Sequence, residues 1–234
     1  MNQYFQKIGL SLVLMLLCLN TLAAPKNVQL SYELKRNGKL FAYVTENFKQ
    51  DGKHYNIDSV TKGIGIYALL GERTLSSQGL VTKYGLQPMH FESLQSKKAS
   101  KALISDFDWQ HHVLNMSVKG TPKQEDLPAG TQDLLSVMYQ FMFMPPKANK
   151  LDLNIAIGKK LSKQQYVVAT AKMLNTKAGN FKAISLTSRQ DSQDSKIIYF
   201  AQDKQYIPVK VEFVDDGAKY EQVIMKIAID ENSN

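Results

Sequence analysis

From Val28 the chain alternates in character, with Val28, Leu30, Tyr32 and Leu34 on one side and Gln29, Ser31, Glu33 and Lys35 on the other. A period of two sustained over such a run predicts a half-buried β-strand. Asn37-Gly38 follows, the dipeptide that best signals a tight hairpin. A second strand is expected from Lys39 to Lys49, a turn at Asp51-Gly52, and a third strand through Tyr55, Ile57 and Ser59. "IYALL", bracketed by Gly63, Gly65 and Gly71, is too short for an independent helix and is expected to be a helical turn or a break in the sheet.

Strand patterns resume at Thr74–Val81, Met89–Leu94, Ala102–Trp109 and Val113–Val118. "KGTPKQEDLPAG" (Lys119–Gly130) has the Pro and Gly content of a loop. After position 150 six further strand patterns run to Ile229, punctuated by turns such as Lys177–Gly179, Asp191–Asp194 and Asp215–Gly217. No repeat of fixed period and no long linker divides the chain. The pattern predicts a mainly β, single domain over residues 24–234: one curved antiparallel sheet or half-open barrel of about 11–13 strands. A sheet of that width must curl, close or split.

One segment breaks the alternation. "TQDLLSVMYQFMFMPP" (Thr131–Pro146) places three methionines and two phenylalanines between Met138 and Met144. Its spacing predicts a helix over 131–143, started by Thr131 or Asp133 and stopped by Pro145-Pro146. Asp133, Ser136 and Gln140 form a narrow polar stripe, and Leu134, Leu135, Met138, Phe141 and Met142 fill the wide opposite face. Such a helix buries most of its surface, which places it on the concave face of the sheet. Ile197–Phe200 is a consecutive apolar run, so that strand is expected to need cover on both sides. Methionine adapts to irregular partners. The segment therefore fits either a core helix or a helix lining an apolar ligand cavity, with Phe107 and Trp109, two apart on one strand face, as further candidate ligand-binding residues.

The N-terminus changes the compartment. Lys7 precedes an apolar run from Ile8 to Ala24, short for a membrane span and ending in small residues. This is the pattern of a secretory signal peptide over residues 1–23, cleaved after Ala23. The only cysteine, Cys18, leaves with it. The mature chain is then expected in the periplasm, without thiol, disulfide or integral membrane segment. The net charge of +8, or +7 once Lys7 is removed, first of all confers solubility; if it meets a partner, anionic lipid headgroups or acidic envelope polymers suit it better than nucleic acid.

Candidate chemistry is sparse. His111-His112 point to opposite faces of a strand, and the four histidines lack zinc-site spacing. Ser136 lacks the glycines of a nucleophile elbow. Asp106 and Asp108 share a face, and nearby lysines predict ordinary ion pairing there. No phosphate-binding glycine loop is present. No catalytic residue, metal ligand or cofactor is assigned.

Four strings carry a family resemblance: "SQGLVTKYGLQPMHFE" (Ser77–Glu92), "FDW" (Phe107–Trp109), "QDLLSVMY" (Gln132–Tyr139) and "YIPVKV" (Tyr206–Val211). In this order they resemble a family of exported bacterial proteins, the domain of unknown function 3108. The resemblance implies an exported, mainly antiparallel β protein and no assigned activity. A tryptophan common in the family before the Ile-Pro-Val string is absent from "KIIYFAQD" (Lys196–Asp203). A looser, architectural similarity links the expected fold to periplasmic lipoprotein-carrier half-barrels. The first expectation is a periplasmic binding or carrier protein for an apolar or acyl-bearing envelope molecule. The second is a non-enzymatic envelope assembly protein acting on a protein partner through a sheet edge or basic face. A secreted hydrolase using Asp106 and Asp108 ranks third.

Overall fold

The computed structural model describes residues 24–98, 100, 102–188 and 195–230. The expected leader with its cleavage site and Cys18, and the expected Asp191–Asp194 turn, lie outside the described residues.

The first alternation forms β1 (Asn27–Arg36), which turns at Asn37-Gly38 into β2 (Lys39–Gln50). Both turn residues have positive φ, 49° and 78°, as a two-residue hairpin with the twist of its strands requires. β3 (His54–Gly63) follows, then a short 3-10 turn, Gly65–Leu70, where "IYALL" interrupts the pattern. β4 (Arg73–Thr82), β5 (Gly85–Gln95), β6 (Leu103–Asp108), β7 (Val113–Val118) and β8 (Thr121–Asp126) continue the meander. β8 occupies the segment expected to be a loop. It is an edge strand with one half-buried residue, so it never needed the apolar alternation that marks a strand in sequence.

A two-residue strand, β9 (Gln132–Asp133), leads into the helix α1 (Ser136–Phe143). The remaining strands are β10 (Lys150–Ala156), β11 (Leu161–Thr176), β12 (Gly179–Ser188), β13 (Lys196–Ala201), β14 (Ile207–Asp215) and β15 (Ala218–Ile229). All fifteen join one sheet, β8-β7-β6-β5-β4-β3-β2-β1-β15-β14-β13-β12-β11-β10-β9. Each neighbouring pair is antiparallel except β9 with β10. β1 pairs with β15, so the first and last strands sit side by side mid-sheet.

The sheet curls until its ends approach, but no backbone ladder closes it among the described residues. Side chains span the gap: the Leu161 N–H donates to Glu125 Oε2 at 3.1 Å, and the backbone at Gly158 packs against Leu103. Pro122 and the Lys123–Glu125 ion pair blunt the β8 edge against pairing with another chain.

Inward-facing side chains build the core, among them Leu30, Tyr32, Phe48, Ile57, Phe91, Leu186 and Phe200. The apolar run Ile197–Phe200 divides by face: Ile198 and Phe200 are buried, and Ile197 and Tyr199 are half-buried. The expected second layer over this strand is instead supplied by long side chains from β11 and β14. Lys172 and Lys210 lie over the Tyr199 ring at 6.0 and 5.7 Å.

α1 lies on the concave side, against β5, β9 and β14. It is shorter than 131–143, because the chain stays extended through Asp133 to pair with Ile155 and Ala156. The helix stops at Met144, before Pro145-Pro146. Six of its eight residues are buried, so it is surrounded rather than laid on a surface. Among the described residues no helix is long and apolar enough to cross a membrane.

Candidate functional site

The polar stripe of α1 is what fixes its position. Asp133 Oδ1 accepts hydrogen bonds from the Leu135 and Ser136 amides, both at 2.8 Å, and Ser136 Oγ accepts from the Asp133 amide at 2.8 Å. This reciprocal pair satisfies the helix start from within, as a capping box does. Thr131 takes no part and donates to the Pro128 carbonyl instead. Asp133 Oδ2 accepts from Ser77 Oγ at 2.6 Å, and Ser77 in turn contacts Tyr55 Oη at 3.1 Å. Burial pushes the Asp133 carboxyl above its ordinary range, while these hydrogen bonds pull it down.

One turn further, Gln140 Oε1 accepts from the Leu86 amide at 2.6 Å and its Nε2 donates to the Tyr84 carbonyl at 2.9 Å. Gln132 Nε2 donates to the Leu86 carbonyl at 2.8 Å, and Trp109 Nε1 to the Pro88 carbonyl at 2.7 Å. Gly85, at φ +91°, allows this approach, since a Cβ there would lie 2.4 Å from Gln140 Oε1. Tyr32 Oη donates to the Pro208 carbonyl at 2.9 Å. Two of the four strings, Ser77–Glu92 and Gln132–Tyr139, therefore supply the joints that pin helix to sheet, while Trp109 and Pro208 of the other two tie parts of the sheet to one another.

Beside the pinned helix is a cavity of about 470 Å3. Its walls are largely apolar, including Leu34, Val44, Leu75, Leu134, Leu135 and Met138. Deep within it, Glu46 accepts from Tyr139 Oη at 2.8 Å and from Ser59 Oγ at 3.3 Å, with the Gln222 side chain as a third partner. Burial raises the Glu46 carboxyl above its ordinary range, opposed by those three hydrogen bonds. Arg73, Lys196 and Asp215 stand at strand ends where the cavity opens. Solvent entering the mouth reaches both cations, yet protein crowds them and lowers the pKa of each; Asp215 opposes the shift at Arg73.

Of the seven residues singled out by sequence, Leu134, Leu135 and Met138 line this cavity. Phe141 packs edge-on against Phe200 at 5.0 Å, in the solid core. Met142 is buried but does not line the cavity. Phe107 and Trp109 stack on each other at 6.1 Å, and Trp109 borders a separate cleft with Gln132 and Gln140. Sequence reasoning missed Glu46, Arg73 and Lys196. For Glu46 and Lys196 the signal was phase: each falls on the apolar face of its strand, as in Ala42-Val44-Glu46-Phe48 and Lys196-Ile198-Phe200, whereas the mixed face of Arg73 gave none.

The acidic pair expected to meet lysines meets histidines. Asp106 contacts His90 Nδ1 at 2.6 Å and Asp108 contacts His111 Nδ1 at 2.7 Å. His111 also lowers the Asp108 carboxyl pKa. Both pairs sit on the outer surface, apart from the cavity. Among the described residues no group of three His, Cys, Asp or Glu side chains is placed to hold a metal ion.

Fold and site together define a curled antiparallel sheet wrapped around one latched helix, hollow on one side. The chain belongs to the DUF3108 family of proteins of unknown function, whose model matches residues 30–223. No curated protein matches it. Among solved structures it is similar to a β-barrel-like DUF1849 protein from Brucella abortus, with 11% identity over 89% of this chain and 100% of the other, at a TM-score of 0.55. At that identity the likeness concerns the fold alone. Weaker matches are a candidate lipoprotein from Parabacteroides distasonis (7% identity, 88% of this chain and 97% of the other, TM-score 0.39) and a candidate exported protein with a YmcC-like fold from Bacteroides fragilis (9%, 88% and 97%, TM-score 0.34).

Proposed function

We propose that this chain is a periplasmic binding protein that carries one amphiphilic envelope molecule, with an acyl-type tail and an anionic head. The observation behind this reading is the cavity beside α1. Its volume of about 470 Å3 falls within the ~300–1,000 Å3 of small-molecule sites. Its apolar walls suit a hydrocarbon tail, and Arg73 and Lys196 at the opening suit an anionic head. The apolar leader over residues 1–23 supports export to the periplasm. Leu134, Leu135 and Met138 are the proposed tail contacts; Phe107, Trp109, Phe141 and Met142 support the fold around them.

Mass spectrometry of solvent extracts from protein purified gently from its native periplasm tests this. A stoichiometric amphiphile is expected in the wild type, depleted in a Leu134→Trp variant that narrows the cavity and in Lys196→Gln. An empty wild-type protein, or equal occupancy in a folded Leu134→Trp variant, would overturn the proposal.

A further inference from the structure

The 3-10 turn Gly65–Leu70 presents three large apolar side chains to solvent: Ile66 is 75% exposed, Leu69 72% and Leu70 50%. The turn is braced. Tyr67 points the other way, edge-on to Phe41 at 5.4 Å, and the Tyr67 amide donates to the Ile64 carbonyl at 3.1 Å. The Ala68 carbonyl accepts from the Gly71 amide at 3.2 Å, the Leu69 carbonyl from Lys97 Nζ at 3.1 Å, and the Leu70 carbonyl from Gln95 Nε2 at 3.1 Å. The backbone acceptors around the exposed leucines are thus satisfied within the protein. With these carbonyls already bonded, the exposed leucines can enter an apolar medium at a lower cost than irregular chain usually carries there.

Charge names the medium. The segments Lys62–Glu72 and Ser96–Lys98 carry Lys62, Lys97 and Lys98 against the single carboxylate of Glu72, while Arg73 turns to the cavity mouth beside Asp215. Glu72 is engaged by Lys62 at 3.0 Å. An apolar tip ringed by cations matches an anionic bilayer surface, where basic side chains meet headgroups and apolar ones pass beneath them. The turn also joins β3 to β4, whose end residues Thr61 and Arg73 line the cavity.

We infer that the Gly65–Leu70 turn is a shallow membrane-docking element, which inserts Ile66, Leu69 and Leu70 into an anionic bilayer and sets the cavity mouth against its surface. This concerns the outer surface and stands whether or not the cavity holds a ligand. The test is cosedimentation of purified protein with vesicles of equal parts phosphatidylglycerol and phosphatidylethanolamine. Wild-type protein should bind them about tenfold more tightly than phosphatidylcholine vesicles. The Ile66→Asp/Leu69→Asp variant should lose at least about tenfold in affinity while unfolding at the wild-type midpoint. Lys97→Gln/Lys98→Gln should weaken binding and flatten its salt dependence. Leu134→Trp, which narrows the cavity, should bind vesicles like the wild type; this separates docking from ligand carriage. No vesicle binding by the wild type, unchanged binding in the aspartate variant, or a wild-type dimer that the aspartate variant dissolves would each overturn the inference. The last outcome would assign the patch to a second copy of the chain.

Discussion

Asp133 is the joint on which the helix depends, and two substitutions separate its roles. Asp133→Ala strands three buried donors: the amides of Leu135 and Ser136 and the hydroxyl of Ser77. Each unsatisfied buried group costs about 1–3 kcal/mol. Removing a carboxylate that burial disfavours returns part of that sum, which leaves an expected loss of about 3 kcal/mol. Asp133→Asn keeps an oxygen for both amides. Its new NH2 faces Ser77 Oγ, which can turn to accept from it and donate to Tyr55 Oη, 3.1 Å away. The expected cost is below about 1 kcal/mol.

Acidity adds a second signature. Burial holds the Asp133 carboxyl above its ordinary value of 3.8, so the folded protein holds that proton more firmly than the unfolded chain. The resulting stability is complete below the ordinary aspartate range and is lost as pH rises through the folded pKa. Asp133→Asn lacks this dependence and should gain on the wild type between acid and neutral pH. Urea unfolding followed by circular dichroism, at acid and neutral pH, reads both effects. An unchanged m-value is required for the midpoints to report stability. Equal losses for Ala and Asn, or a loss under about 1 kcal/mol for Ala, would refute the cap as the joint that holds α1.

Two further substitutions probe the latch and the cavity. Gly85→Ala should destabilise by about 2 kcal/mol, because φ is +91° and the new Cβ meets Gln140. In a Gln140→Ala background, which loses its own latch bonds, Gly85→Ala should cost less, since the clash goes, but not nothing, since the backbone strain stays; full additivity by urea unfolding would remove contact with Gln140 as the cause. At Glu46, burial likewise raises the carboxyl above its ordinary 4.5, so wild-type stability should decline as pH rises through the folded pKa. Glu46→Gln should therefore gain on the wild type with rising pH, and a constant gap across the same titration would contradict the raised pKa.

Much of this fold is legible in the sequence because it obeys period two. β1 and β2 follow directly from alternation and Asn37-Gly38. The helix stop follows from two prolines, and the cap from Asp133. The failures have physical causes. β8 sits at an edge with its residues almost wholly exposed, so burial imposes no pattern on it. β9 is too short for any periodicity, and its two residues lie where a helical pattern was expected to begin. The cavity is harder still. Leu134, Leu135 and Phe141 look alike on a helical wheel, and only the surrounding strands decide which face meets packed core and which meets a void. Part of the charged lining was visible in principle, because Glu46 and Lys196 sit in phase with buried apolar neighbours, whereas Arg73 is followed in phase by half-buried Leu75 and buried Ser77 and gives no such signal.

The latch and the cavity explain one another. Apolar walls around a hollow of about 470 Å3 forgo the contacts that a filled core would give them. A helix held only by apolar packing would gain by shifting toward the void and filling it. α1 is held instead by directional bonds to Ser77, Tyr84 and Leu86, and such bonds lengthen or break if the helix slides. Its position is thus set by β4 and β5 on one side, independently of how well Leu134 and Met138 are packed on the other. The void itself must then be occupied, by water or by a guest. Glu46, Ser59 and Gln222 give water partners deep inside, and Arg73 and Lys196 do so at the mouth. On the proposed carrier reading, a guest with an apolar tail would take the place of water at the walls while its polar end met the partners at the rim. A helix latched from one side keeps such a hollow open without drawing on the packing of the core.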